Sequence, residues 1–222
     1  MAIVVGGDGT FGYYGKKLQI PMLFVGVNDN DVLGSKARLA ELLFEDHHKA
    51  LYEINNGNYR LEKRTMFCVC IKHKSNGNQN GIERATDILT DMYIERGIFS
   101  RCIRYALSVT MPKTNSGYHA LKKFAEYAIG NGVIVSTSFG ARGYYSYPDR
   151  VTVGKHNNKS NNGAQFSDNK LGICHIIPTF LVRKLNLGNK KRTRMVRGSY
   201  IRYTVPNQSV IKISLTRDAD VR

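Results

Sequence analysis

Two short apolar runs open the chain, and glycines separate them. Residues 2–5 form a run that ends in the glycines Gly6 and Gly7, and residues 20–27 form a second run after a brief connection. Strands that are buried on both faces of a parallel sheet carry continuous apolar runs of this kind. We therefore predict two buried parallel strands.

Helical spacing of apolar residues follows in residues 35–54. The repeating positions are Leu39, Leu42, Leu43, Ala50, Leu51 and Ile54. This period predicts a helix that begins after Ser35 as its N-cap. The sequence Asn55-Asn56-Gly57 then predicts where it ends.

From Tyr59 onward the apolar period changes to two residues, which is typical of strands. The alternation is clearest at residues 102–111. The predicted strands are 66–71, 88–95, 102–111, 132–136, 171–177, 200–205 and 210–215. Residues 118–129 are predicted to form a helix. The segments 74–81 and 155–163 are rich in Asn, Gly and Ser, so we expect exposed loops there.

The change of period divides the chain into two units. Residues 1–62 are predicted to be a small α/β unit that resembles a shortened Rossmann fold, and residues 63–222 to be a β-rich domain. Ligand sites often lie where two such units meet. We therefore expect a ligand to bind between them.

Composition and charge narrow the classes of partner. The chain has 222 residues, is 42% hydrophobic and carries a net charge of +16, so it has enough apolar residues for a core and favours anionic partners. Its four cysteines form no CxxC pair, which indicates a reducing, cytoplasmic protein. We expect no membrane span, since no apolar run approaches the roughly 20 residues that a bilayer requires.

The first glycine-rich segment contains the clearest candidate chemistry. Gly7, Gly9 and Gly12 match the spacing GxGxxG after a strand, although Gly12 and Gly15 disfavour the helix that a Rossmann unit places next. A carboxylate at Asp8 would repel a pyrophosphate unless it binds a metal or accepts a substrate proton. The alternative is that Asp8 only hydrogen-bonds the backbone of the turn.

Four segments carry a resemblance to a known family. GGDGT at 6–10 resembles the signature loop shared by NAD kinases, diacylglycerol kinases and sphingosine kinases. PMLFVGVND at 21–29, NGNYRLEKRTM at 56–66 and GNGVIVSTSFGARGYYS at 130–146 resemble segments of the NAD kinases, and lipid kinases lack the last of these. The resemblance covers most of the chain and implies an NAD-kinase-like fold.

The resemblance also implies an activity and a set of roles. The activity would be transfer of a phosphoryl group from ATP or polyphosphate to the adenosine ribose 2'-hydroxyl of NAD(H), giving NADP(H), with Mg²⁺ or another divalent metal. Asp8 would be the catalytic base. The residues implied for phosphate binding are Gly6, Gly7, Gly9 and Thr10, and those implied for dinucleotide binding are Thr90, Asp91, Asn131, Arg142 and Tyr144. No metal ligand is assigned directly.

Some of these positions depart from the family pattern. Thr90 and Asp91 stand where the family has an Asn-Glu pair, Asn131 stands for an aspartate, and Arg142 replaces a small residue. A guanidinium at this position stacks on a base or binds a phosphate, so we expect Arg142 to alter recognition.

Two further functions from other classes stay open, a non-catalytic dinucleotide-binding protein and a lipid kinase. A nucleic-acid-binding protein is disfavoured because no recognition motif accompanies the charge. The basic residues Arg183, Lys184, Lys190, Lys191, Arg192, Arg194 and Arg197 either attract polyanions or form a solvated face. The family resemblance implies a homo-oligomer.

Overall fold

The computed structural model describes residues 1–18, 20–27, 37–72, 82–97, 101–112, 123–146, 165–187, 190–196, 200–215 and 220–221. The predicted N-cap Ser35 and the predicted loops 74–81 and 155–163 lie outside the described residues.

A three-stranded parallel sheet begins the fold. Its strands, in spatial order, are β1 (Ala2–Gly6), β2 (Met22–Gly26) and β3 (Leu42–Leu43). The two predicted parallel strands are confirmed, but the prediction that both are buried is wrong for β1. Val4 is buried, whereas Ile3 and Val5 are 49% and 47% exposed.

Two short helices accompany this sheet, α1 (Asp8–Gly15) and α2 (His47–Asn55), the second after a 3-10 turn at Phe44–Asp46. The helix predicted for residues 35–54 is therefore wrong for most of its length, because Leu42–Leu43 pairs with β2 as a strand. A short apolar pair satisfies either period, so spacing alone did not separate the two. The predicted end is confirmed, since α2 stops at Asn55 and Gly57 takes φ +74°.

The remainder of the described chain is built of strands. They are β4 (Phe67–Lys72), β5 (Ile82–Ile88), β6 (Asp91–Glu95), β7 (Ile103–Thr110), β8 (Lys123–Gly130), β9 (Gly132–Ser136), β10 (Lys170–Ile176), β11 (Phe180–Leu187), β12 (Lys190–Met195), β13 (Tyr200–Pro206), β14 (Val210–Leu215) and β15 (Asp220–Val221).

Ten of these strands form two five-stranded sheets that enclose the main core. One sheet has the order β13-β10-β9-β6-β15 and the other β12-β11-β8-β7-β14, while β4 and β5 form a separate hairpin. Buried residues of both sheets meet in one cluster, for example Val133 and Ile173 from the first and Leu107 and Leu181 from the second. The β-rich second unit is thus a sandwich of two antiparallel sheets.

Three predictions for this unit need correction. The predicted helix 118–129 is wrong from Lys123 onward, because β8 occupies Lys123–Gly130 with alternating burial, and its first five residues lie outside the described part of the chain. The predicted strand 88–95 is two strands, since Leu89 and Thr90 turn the chain between β5 and β6. Strands β11 and β12 were not predicted, and most of the basic residues lie on this hairpin.

Helix α1 packs against the turn between β5 and β6. A Cβ at Gly15 would lie 2.3 Å from Leu89 Cδ2, and a Cβ at Gly12 would lie 3.3 Å from Thr90 Oγ1. The two glycines that argued against a helix are therefore the residues that let it approach this turn. Leu89 also joins a core cluster with Phe11 of α1, so the two units share buried contacts.

A buried polar network connects the two sheets of the sandwich. His175 on β10 lies 2.8 Å from a carboxylate oxygen of Glu126 on β8 and 2.7 Å from the Tyr105 hydroxyl on β7. Tyr203 and Arg183 donate to the same carboxylate at 2.6 and 2.5 Å. Burial alone would raise the pKa of Glu126, but these partners hold it below its usual range. Arg183, one of the basic residues, is therefore a structural residue.

No helix in the described part of the chain has the length and hydropathy needed to cross a membrane.

Candidate active site

The GGDGT segment forms the junction between β1 and α1. Gly6 ends the strand, Gly7 is the N-cap, and Asp8 is the first residue of the helix. Gly6 has φ +156°, and a Cβ there would lie 2.8 Å from the Thr10 hydroxyl oxygen, so a side chain is excluded by space. A Cβ at Gly9 would meet nothing within 4 Å. The backbone at Gly9 is therefore open to an approaching group.

Asp8 is half-buried at the start of α1, where a negative charge interacts favourably with the helix dipole. Its Oδ1 accepts a hydrogen bond of 2.9 Å from the backbone N–H of Leu39. Leu39 is 2% exposed and belongs to the same core cluster as Phe11. This bond joins Asp8 to a segment 31 residues away in the chain, not to the backbone of its own turn as the alternative predicted.

Thr90 and Asp91 lie where the chain enters β6. The carbonyl oxygen of Thr90 accepts hydrogen bonds from the backbone N–H and the hydroxyl of Thr137, at 2.8 and 3.0 Å. A Cβ at Gly140 would lie 2.2 Å from this carbonyl oxygen, so only glycine fits there. These contacts fix the segment that carries Asp91 against the turn at Gly140.

Asp91 is the most perturbed carboxyl of this region. Burial raises its pKa to about 6, and the negative charge of Asp8 adds to the rise, while the backbone N–H groups of Tyr145 and Tyr144 oppose it. Its Oδ2 atom is buried and has no hydrogen-bond partner in the part of the chain that the structure describes. A buried carboxyl with a perturbed pKa and an unpaired oxygen is typical of functional sites.

The 3-10 turns Gly140–Arg142 and Tyr144–Ser146 complete the site. Tyr144 is 38% exposed, and its ring contacts Tyr93 edge to face with centroids 5.1 Å apart. Its backbone N–H reaches Asp91, so the structure links Tyr144 to Asp8 through Asp91. The candidate site thus lies between the two units.

Arg142 contributes to a cleft beside this turn. The cleft has a volume of about 320 Å³, and its lining includes Arg64, Phe139, Arg142, Phe166 and Asp168. Two of these guanidinium groups stack on Phe139, with Arg64 4.9 Å and Arg142 5.5 Å from the centroid of its ring.

Asn131 is the predicted dinucleotide-binding residue that the structure does not bring to this place. Ser136, at one end of β9, pairs with Asp91, whereas Gly132, at the other end, pairs with Glu95. Asn131 precedes Gly132, so the length of β9 separates it from Asp91, about 15 Å at the usual strand rise. Its backbone bonds to Arg96 and Ile176 instead.

Several residues of this region escaped the sequence analysis. Arg64 belongs to the segment 56–66 that carries the family resemblance, but nothing in its spacing indicated a cleft. Leu39 and Phe139 act through a backbone N–H and an aromatic face, which any residue of the same class would supply. A pattern of residue types does not report such contacts.

Known proteins similar to this chain are NAD kinases. No protein-family model matches it. The chain is 28% identical over 145 residues to an NAD kinase of Magnetococcus marinus and 30% identical over 146 residues to one of Clostridium perfringens. Each match covers 65% of this chain, and the chain spans less than half of these relatives, 41% and 45% of their lengths.

A solved structure agrees with the fold. The crystal structure of yeast NADH kinase complexed with NADH superposes with a TM-score of 0.52 at 17% identity, over 97% of this chain and 57% of that one. At this identity the likeness concerns the fold alone. The matches confirm the resemblance to the NAD kinase family and the NAD-kinase-like fold that the motifs predicted.

Proposed function

Because this chain is a sequence relative of the NAD kinases, we propose that it phosphorylates the adenosine ribose 2'-hydroxyl of NAD(H). The observation that carries the proposal is the proximity of two carboxyl groups. Asp8 of GGDGT and Asp91 of the segment after β5 lie near enough for the charge of Asp8 to raise the pKa of Asp91. A ribose offers two neighbouring hydroxyls, which a pair of carboxylates binds well.

In the proposed reaction the two carboxyl groups have different tasks. Asp91 is enclosed and held by backbone N–H groups, so it orients a ribose hydroxyl. Asp8 lies beside the open backbone of Gly9 and accepts the proton of the 2'-hydroxyl. The 2'-oxygen forms a bond to the transferred phosphorus, and the bond from that phosphorus to the leaving phosphate oxygen breaks. Since the transition state of phosphoryl transfer is loose, positioning matters more than basicity.

The glycines of the loop let phosphate groups approach the backbone. Gly9 presents backbone to open space at the start of α1, where N–H groups and the helix dipole favour an anion. We assign Gly6 and Gly7 to the shape of this turn, and Gly9 and Thr10 to the phosphates. ATP and polyphosphate both present phosphate oxygens that fit this description.

A divalent metal fits the same place. Mg²⁺ is usually held by one or two carboxylates together with substrate phosphates. The described residues contain no group of three or more His, Cys, Asp or Glu that would hold an ion by themselves. Asp8, next to the phosphate loop, is the residue that would contact the ion, and the ion would supply neutralisation of phosphate charge.

The test is direct formation of NADP. The purified chain is incubated with Mg²⁺ and NAD or NADH, with either ATP or inorganic polyphosphate as donor, and NADP(H) is measured. Product that depends on one donor identifies that donor. Tight dinucleotide binding without product would instead support the alternative of a non-catalytic binding protein. That alternative is favoured by one observation, the hydrogen bond that ties Asp8 to Leu39.

Two expectations from the sequence accompany the proposal. The reaction would take place in a reducing, cytoplasmic setting, in keeping with Cys68, Cys70, Cys102 and Cys174 as free thiols. The active form would be a homo-oligomer.

A further inference from the structure

Two arginines of the cleft lie against the same aromatic ring, that of Phe139. Arg64 and Arg142 both stack on the ring of Phe139. Two guanidinium groups that share one ring repel each other unless an anion lies near. The identity of the anion that balances them is therefore informative.

The charge of Arg64 is partly balanced within the chain. It forms an ion pair of 2.8 Å with Glu62, and its side chain is 30% exposed. Glu62 also pairs with Arg60, so its charge is shared. Arg64 thus brings positive charge to the cleft while remaining anchored to its own segment.

Arg142 is not balanced in this way. It is half-buried, and within the described residues its side chain forms neither an ion pair nor a hydrogen bond. Its charge acts on Glu41, whose pKa burial raises while the backbone of Phe24 and the charges of Arg64 and Arg142 oppose the rise. Glu41 already accepts the Phe24 N–H at 2.8 Å.

The rest of the cleft offers the complementary polarity. Asp168 accepts a hydrogen bond from the Ser138 hydroxyl, and its backbone carbonyl is held by Thr65 at 2.9 Å. A carboxylate accepts hydrogen bonds from hydroxyl or amino groups. The cleft therefore suits a ligand that carries both a phosphate and such donors, which is the description of a nucleotide.

Position in the fold connects this cleft to the ribose site. Arg142 lies between Gly140, which packs on Thr90, and Tyr144, whose N–H reaches Asp91. Ribose and phosphate are adjacent in a nucleotide, and Arg142 belongs to the turn that contacts Thr90 through Gly140 and Asp91 through Tyr144. Resting on the proposed function, we propose that Arg142, assisted by Arg64, is a phosphate-binding subsite that determines which nucleotide binds beside Asp91.

Equilibrium binding to three probes tests the subsite. Dissociation constants for pyrophosphate, ATP and NAD are measured by calorimetry on the unmodified chain and on Arg142→Ala, Arg142→Lys and Arg64→Ala. The matched control is Arg101→Ala, an exposed arginine just before β7 at the Asn131 end of the sandwich. It removes the same charge away from Asp91. Circular dichroism and thermal unfolding verify each fold, and Arg142→Lys gives the result if Arg142→Ala fails to fold.

We expect Arg142→Ala to weaken binding of pyrophosphate about ten- to a hundredfold, the usual effect of losing a charge-assisted hydrogen bond. Arg142→Lys should lie between, because it keeps the charge but loses the planar fork. If Arg142→Ala also weakens the binding of ATP but not of NAD, the subsite belongs to the phosphoryl donor. If it weakens the binding of NAD but not of ATP, the subsite belongs to the dinucleotide. Either pattern supports the subsite.

Two results would overturn the subsite. One is unchanged binding of every probe by the Arg142 variants, including the case in which the unmodified chain binds none of them. The other is an equal loss in Arg101→Ala, which would mean that only net charge matters. NADP formation distinguishes this failure from failure of the proposed function. Normal turnover and KM in Arg142→Ala reject the subsite alone, whereas weakened pyrophosphate binding in a chain that makes no NADP rejects the function alone.

Discussion

Replacement of Asp8 by Asn tests whether Asp8 acts as a catalytic base or only holds the backbone of Leu39. The Oδ1 of Asp8 accepts the backbone N–H of Leu39 at 2.9 Å. An asparagine side chain keeps a carbonyl oxygen in this place, so the anchor survives, but it accepts no proton from a hydroxyl. We expect Asp8→Asn to fold normally and to lower NADP formation by about 10² to 10⁴, the usual contribution of a positioned base.

Asp8→Ala provides the comparison for the anchor. It removes the acceptor for the N–H of Leu39, a residue that is 2% exposed. A buried donor left without a partner costs about 1–3 kcal/mol of unfolding free energy. Asp8→Asn should avoid this cost, and it also removes a charge that raises the pKa of Asp91, so its stability at neutral pH should equal or slightly exceed that of the unmodified chain.

The assay combines two measurements on each protein sample. Initial rates of NADP formation at saturating NAD report catalysis, and urea unfolding at pH 7.5 reports stability. The catalytic assignment is refuted if Asp8→Asn retains near-normal turnover, above all if Asp8→Ala loses stability as calculated. In that case Asp8 only holds the Leu39 segment on α1.

Three other predictions concern single residues. Because the pKa of Asp91 is raised, its ionised form lowers the free energy of unfolding by about 3 kcal/mol at pH 7.5. At pH 5 the carboxyl takes up a proton, and this loss falls roughly by half. Urea unfolding should show the gain in stability in the unmodified chain and not in Asp91→Asn. The added methyl group of Gly9→Ala has no atom within 4 Å, so the free energy of unfolding should stay the same or rise by up to about 1 kcal/mol. Calorimetry should show weaker ATP binding. Unchanged ATP binding would mean that Gly9 only shapes the turn. Glu126→Gln should lower the free energy of unfolding by about 3–5 kcal/mol, since it leaves Arg183 and His175 without their carboxylate; a loss below about 1 kcal/mol in urea unfolding would contradict this network.

The strands that sequence predicted well are those whose pattern and surroundings agree. Strand β9 matches its predicted range, and β7 alternates buried and open positions as expected. Strand β8 falls in a predicted helix, and its residues KFAEYAIG include good helix formers. Its hydrogen bonds to β7 and β11 override that local preference, and these partners are distant in sequence.

Some features of the candidate site are likewise predictable from the sequence, and others are not. GGDGT and the Thr90-Asp91 pair are local motifs, so they were visible in sequence. The Asp8–Leu39 bond, the pKa of Asp91 and the stacking of Arg64 on Phe139 depend on how distant segments pack. The sequence indicates only that Gly15 disfavours a helix, whereas the structure shows that Gly15 makes room for Leu89 beside that helix.

The packing of α1 connects the stability of the small unit with the geometry of the site. Within the described residues its sheet has three strands, and β1 leaves Ile3 and Val5 about half exposed, so this sheet alone encloses little apolar surface. Leu89 and Phe139 of the second unit join the buried cluster around Phe11 of α1. Leu89 directly precedes the Thr90-Asp91 pair. The contacts of Gly12 and Gly15 with Thr90 and Leu89 therefore place Asp8, at the start of α1, on the same side of the fold as Asp91.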